Sequence, residues 1–137
     1  MLDPQLARDT TPVGNLALTR VLLNEDFNYP WLILVPRQPA LVELIDLDEA
    51  GRNLLMREVA AVSQALRTIT QCDKLNVAAF GNIVRQLHVH VIARFRSDAA
   101  WRCPVWNIVP CRPYEAPARE TLIAALRKSL QIGPVRD

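Results

Sequence analysis

The chain has 137 residues, half of them apolar, a formal net charge of +2 and a pI near 8.6. That size and apolar content suit one domain with a sizeable core, spanning residues 1–137, and the charges are interspersed rather than gathered into the basic block that non-specific nucleic-acid binding needs. No apolar run approaches the roughly 18 residues of a membrane span, and residues 1–4 lack a charged segment followed by an apolar signal core, so a cytoplasmic protein with no membrane or nucleic-acid partner is expected.

Residues 1–14 carry two prolines and little apolar periodicity and read as an irregular lead-in or a short helical cap. From Asn15 to Leu23 alternating residues suggest a first strand reaching Asn24; the polar turn 24–30 follows, and the apolar run from Trp31 to Val35, closed by Pro36, completes a hairpin. Prolines at 36 and 39 mark a loop. Asp46 or Asp48 then caps a long helix from Leu47 to about Ile69, with Leu54, Leu55, Val59, Val62 and Leu66 on its apolar side and Glu49, Arg52, Arg57, Glu58 and Arg67 on a wetter one. Lys74 to Phe80 and Gln86 to Phe95 both read as strands, which sets the second beside Leu75, Asn76 and Val77.

Beyond Arg94 the segment 101–113 is rich in proline and aromatic residues, and Trp101 and Trp106 read as loop anchors or as groups closing a pocket. A last helix starts near Pro117, carries Leu122, Ile123, Leu126 and Leu130 as its stripe and stops at Gly133-Pro134. Cys72, Cys103 and Cys111 are odd in number and form no CxxC pair, as expected of incidental thiols in a reducing compartment. Arg37 and Arg94, each ending an apolar strand, read as solvated charges.

Both histidines of the chain lie in the run Gln86-Leu87-His88-Val89-His90-Val91. A period of two puts Gln86, His88 and His90 on one strand face, with neighbours roughly 6–7 Å apart at a rise of about 3.3 Å per residue, close enough for both imidazoles to meet one phosphate or metal complex. Neutral imidazole is a competent nucleophile toward phosphorus, and a second imidazole can hydrogen-bond the phosphoryl oxygens or the leaving group. Asn76, on the neighbouring strand, is placed to support the pocket floor.

The run Gln-x-His-x-His followed by apolar residues and Arg94 resembles the histidine triad (HIT) family, whose motif is His-φ-His-φ-His-φ-φ with φ apolar; Gln86 stands where the first histidine would be. The segment 81–85 is similar to the family's Gly-Gln-(Ser/Thr)-Val-x approach, with Asn82 for glutamine and Ile83 for the hydroxyl residue, and residues 22–24 with 30–37 are similar to its nucleotide-binding strand pair. The resemblance covers about residues 15–95, leaving the C-terminal loop and helix, 96–137, outside the motif-bearing core. It implies an α+β fold with an antiparallel sheet of about five strands, one long helix and a C-terminal helix. It also implies a homodimer and a purine nucleotide substrate; no cofactor is expected, because a histidine nucleophile itself supplies the covalent chemistry.

By the same resemblance His88 is the nucleophile, oriented by the backbone carbonyl of Gln86, and His90 contacts the phosphate near the leaving group. Asn82 and Asn24 then serve phosphate and ribose. The leading expectation is a nucleotide hydrolase or nucleotidyl transferase acting on an α-phosphate through a nucleotidyl-histidine. Two alternatives stand beside it: a nucleotide-binding or partner-binding module without turnover, and a metal site built on His88 and His90.

Overall fold

The central strand explains the longest apolar run of the N-terminal half. The computed structural model describes residues 1–136, and in it β3 (Trp31–Pro36) is buried at every position, with neighbours on both edges and cover on both faces. Its companions are β1 (Thr10–Asn15), β2 (Thr19–Asn24), β4 (Lys74–Ala78) and β5 (Val89–Arg94). The strands lie in the order β1-β2-β3-β5-β4, and every neighbouring pair is antiparallel. The helices are α1 (Pro4–Asp9), α2 (Glu49–Thr70) and α3 (Ala116–Leu130). The expected α+β architecture, a five-stranded antiparallel sheet with one long and one C-terminal helix, is therefore what the chain forms.

The faces of the sheet follow from the period of two. Val21, Leu23, Leu32, Leu34, Val89, Val91 and Ala93 pack with Leu55, Val59, Val62 and Leu66 of α2 and with Ile123 and Leu126 of α3. Leu22, Trp31, Ile33, Val35 and Ile92 point the other way, where Leu6 of α1 and Ala100 and Val105 of the C-terminal loop cover them. His90 pairs with Ile33, so it shares this second face, opposite α2.

Four local expectations need correction. Residues 10–15 are a strand rather than an irregular lead-in; the register shifts between Pro12 and Gly14, which breaks the alternation that would have signalled it. The apolar alternation of residues 15–23 is split by a turn, closed by the Leu16 amide on the Thr19 carbonyl at 2.8 Å. Gly133 does not stop α3: Gln131 does, in the left-handed region at φ 55°, as Gln71 does for α2.

The fourth concerns Glu58, which is buried rather than on the wet side of α2. Its carboxylate accepts from the Leu18 amide at 2.9 Å, the Thr19 amide at 2.8 Å and the Thr19 hydroxyl at 2.7 Å, satisfying the turn between β1 and β2. Removing it strands buried donors, so Glu58→Ala should lower stability by about 2–4 kcal/mol in urea unfolding. Unchanged stability would show that water replaces the carboxylate at no cost.

Candidate active site

β5 is shorter than the alternating run predicts. Pairing with β3 reaches Leu34 opposite Val89 and stops, because Pro36 and Pro39 turn the partner chain away. The Leu87 amide instead donates to the Leu41 carbonyl at 3.0 Å, so Gln86, Leu87 and His88 form an extension that β3 does not pair.

His88 lines a cavity of about 720 Å³ between residues 42–45 and the segment 79–88. Its Nδ1 is 2.6 Å from the Gln86 carbonyl oxygen. A carbonyl only accepts, so Nδ1 carries the proton and Nε2 carries the lone pair, the tautomer a nucleophile needs. Gly81 lies against the ring: a Cβ there would come within 2.7 Å of Cε1 and 2.6 Å of the Val84 carbonyl oxygen. The absence of a side chain at 81 is thus what lets the loop close on the imidazole.

His90 is held differently. The Trp31 indole N–H donates to its Nδ1 at 3.0 Å, which makes Nδ1 the acceptor and leaves the ring proton on Nε2, where it is donated to the Phe80 carbonyl at 3.1 Å. Trp31 and Trp106 surround the ring edge-on, with centroids 5.7 and 5.1 Å away, and His88 lies at 4.9 Å. Burial, with a smaller push from His88, holds the His90 pKa down to about 4 even though the Phe80 carbonyl favours the proton. His90 is therefore neutral at physiological pH, and its Nε2 faces the Phe80 carbonyl rather than open space. Both His90 nitrogens are engaged with protein groups, and no cluster of three or more histidine, cysteine or acidic side chains suited to a metal ion occurs among the described residues.

The remaining candidates separate. Asn82 lines the cavity with His88, whereas the Ile83 side chain is turned outward. Asn76 accepts from Arg94 Nη1 at 2.8 Å, and Asn24 ends β2 outside the lining of the His88 cavity. The Gln86 side chain is turned away from the histidines: its Oε1 accepts from the Asp3 amide at 2.7 Å and its Nε2 donates to the Met1 carbonyl at 3.1 Å. Only its backbone oxygen serves His88.

Arg94 is neither solvated nor open to the cavity. It is 2% exposed and paired with Asp98 at 2.8 Å, and it lies over the Tyr29 ring at 5.7 Å. Burial opposes ionisation of Asp98, but Arg94 and the amides of Phe95 and Ala100 outweigh it and hold the carboxyl below its ordinary range. The Asp98 partner, four residues on in a loop, carries no periodic signal that would have revealed this network. Arg37 stays exposed, donating to the Leu16 and Ala17 carbonyls. Trp106 packs on Trp31, Phe80 and His90, so it both anchors its loop and buries the second histidine.

Fold and site together define an α+β protein with a tautomer-fixed imidazole in the lining of a cavity. The family model for the HIT domain matches residues 6–97. A histidine triad protein from Bradyrhizobium japonicum is 51% identical, with a TM-score of 0.94 over 95% of this chain and 97% of that one. Histidine triad proteins from Sinorhizobium meliloti and Marinobacter aquaeolei are each 39% identical with TM-scores of 0.92, covering 94% and 97% of this chain and 96% and 98% of theirs. No curated protein matches. The chain belongs to the histidine triad family.

The depressed His90 pKa makes stability pH-dependent. The unfolded histidine takes a proton near its ordinary 6.5, which the folded one refuses until about 4. The contribution is complete above pH 6.5 and is lost as the pH falls, by about 2 kcal/mol at pH 5 and about 3 kcal/mol at pH 4. Urea midpoints measured from pH 7.5 to 4 should follow this curve and flatten in His90→Asn. Equal slopes in the two proteins would assign the titration to other groups.

Proposed function

We propose that the protein is a nucleotide hydrolase or nucleotidyl transferase that attacks the α-phosphorus of a nucleoside phosphoester, phosphoramidate or dinucleotide through His88. The observation that carries this reading is the 2.6 Å contact between His88 Nδ1 and the Gln86 carbonyl oxygen, which frees Nε2 for attack beside the cavity. In the first step the Nε2 lone pair forms a bond to phosphorus as the bond to the leaving group breaks, and the leaving group takes its proton from water. In the second step water or another acceptor attacks phosphorus, the nitrogen–phosphorus bond breaks, and the acceptor's proton passes to solvent.

The peptide oxygen of Gln86 orients the nucleophile whatever the side chain, so the loss of the first motif histidine leaves that role intact. Asn82 is placed to donate to the phosphate from the cavity wall. His90, being neutral, contributes as a hydrogen-bond donor, and reaches a phosphoryl oxygen once the Phe80 carbonyl has moved off its Nε2. Asn24, at the end of β2, is assigned to the ribose, and Asn76, which accepts from Arg94, to support beneath the histidine strand. A purine base, the cytoplasm and a homodimer complete the proposal. Support for the dimer comes from β4 at the sheet edge, where Val77 is half exposed.

A non-catalytic nucleotide-binding module is the second reading, favoured by the engagement of both His90 nitrogens with protein groups. One assay separates the two. Incubated with an adenosine phosphoramidate and a diadenosine polyphosphate, the wild type should release AMP and His88→Ala should lose roughly 10³-fold or more of that rate. Saturable nucleotide binding without AMP release identifies the module, and turnover unchanged by His88→Ala rules out the nucleophile.

A further inference from the structure

A second cavity, of about 650 Å³, adjoins the first, and Gln86 and Val42 line both. Its other walls are the N-terminal residues 1–4, the loop 36–41, and Arg20 and Val35 of the sheet. Arg20 pairs with Val35, which lies two residues beyond the Ile33 partner of His90, so Arg20 shares the histidine face of the sheet. It stands two strands away from β5, roughly 10 Å across the sheet at about 4.8 Å per strand. Over the rest of that face Leu6, Tyr29, Trp31 and Trp106 fill the space, and the arginine-bearing side is where it opens.

The chemistry of this cavity favours an anion. Arg20 and Arg37 both line it, and neither forms an ion pair among the described residues. Arg37 is pre-positioned by its two carbonyl contacts through Nη2, and Arg20 by a 3.3 Å bond from Nε to Asn15. The one acid in the lining, Asp3, is occupied as the cap of α1, accepting from the Gln5 amide at 2.8 Å.

The wall that closes this cavity is held by Gln86. Its side-chain amide donates to the Met1 carbonyl and accepts from the Asp3 amide, bracketing Leu2 as the peptide group of an adjacent strand would. Leu2 in turn packs in the cluster with Val84 and Trp106. An amide presents donor and acceptor side by side, whereas the two nitrogens of an imidazole point apart and cannot make this pair of bonds.

We propose that Gln86 is a positioning residue whose side chain docks the N-terminal segment as the wall of an anion subsite, in which Arg20 and Arg37 receive a phosphate-bearing arm of the substrate. This purpose rests on the proposed function, since the arm is one that reaches past Gln86 from the phosphorus facing His88. The test does not depend on turnover. Tripolyphosphate is titrated into the wild type, His88→Ala, Arg20→Gln, Gln86→Leu and Gln86→Glu by calorimetry, with amide hydrogen exchange read at Asp3.

The expected result is binding that survives His88→Ala and weakens about tenfold in Arg20→Gln and Gln86→Leu, with Asp3 exchange faster in Gln86→Leu and intermediate in Gln86→Glu, which keeps the acceptor but not the donor. Binding absent from the wild type, abolished by His88→Ala, or unaffected by Arg20→Gln and Gln86→Leu overturns the proposal. An inactive wild type that still shows these binding differences counts against the nucleophile, not against the subsite.

Discussion

The chain of hydrogen bonds from the Trp31 indole through His90 to the Phe80 carbonyl ties together three parts of the molecule that are distant in sequence. Trp31 opens the buried central strand, His90 sits within β5, and Phe80 begins the segment that folds over His88. Each end of the imidazole has a fixed role because an indole can only donate and a carbonyl can only accept. The ring is consequently locked in one tautomer and kept uncharged by its burial. A protonated His90 would lose the Trp31 bond and would place a charge among two tryptophans and a second imidazole, while its Nε2–H would still donate to the Phe80 carbonyl.

The two histidines thus divide along lines of environment rather than identity. His88 has a carbonyl at Nδ1 and lines a cavity; His90 has protein at both nitrogens. The same face carries a third polar group, Arg94, whose ion pair with Asp98 and hydrogen bond to Asn76 fasten the end of β5 to β4 and to the loop that follows. Polar groups on this face are arranged in order along the strand, from the open end at Gln86 to the sealed end at Arg94.

What the sequence discloses depends on whether the responsible interaction is periodic. The burial of β3, the helical span of α2 and the common face of the histidines all follow from repeats of two or near 3.6 residues, and they were legible. The burial of Glu58 was not, because its partners are amides of a turn some forty residues away. Arg94 misled for the same reason: a charged residue ending a strand is ordinarily solvated, and the carboxylate that neutralises it lies in an aperiodic loop. β1 was hidden by its bulge. Gln86 showed its backbone role through the family motif, but the direction of its side chain depends on where the N-terminal segment folds, and nothing in the spacing fixes that.

The four glycines differ in how much they can change. Gly81 is only half buried, yet one added carbon there would meet both the His88 ring and a peptide oxygen, while the same carbon at Gly133 meets nothing within 4 Å. Position 81 therefore couples the shape of the backbone directly to the angle of the imidazole, with no titratable atom involved. Drift at the surface of this protein is constrained at that point by clearance rather than by chemistry: a neutral, partly accessible residue is as restricted as the histidine it faces.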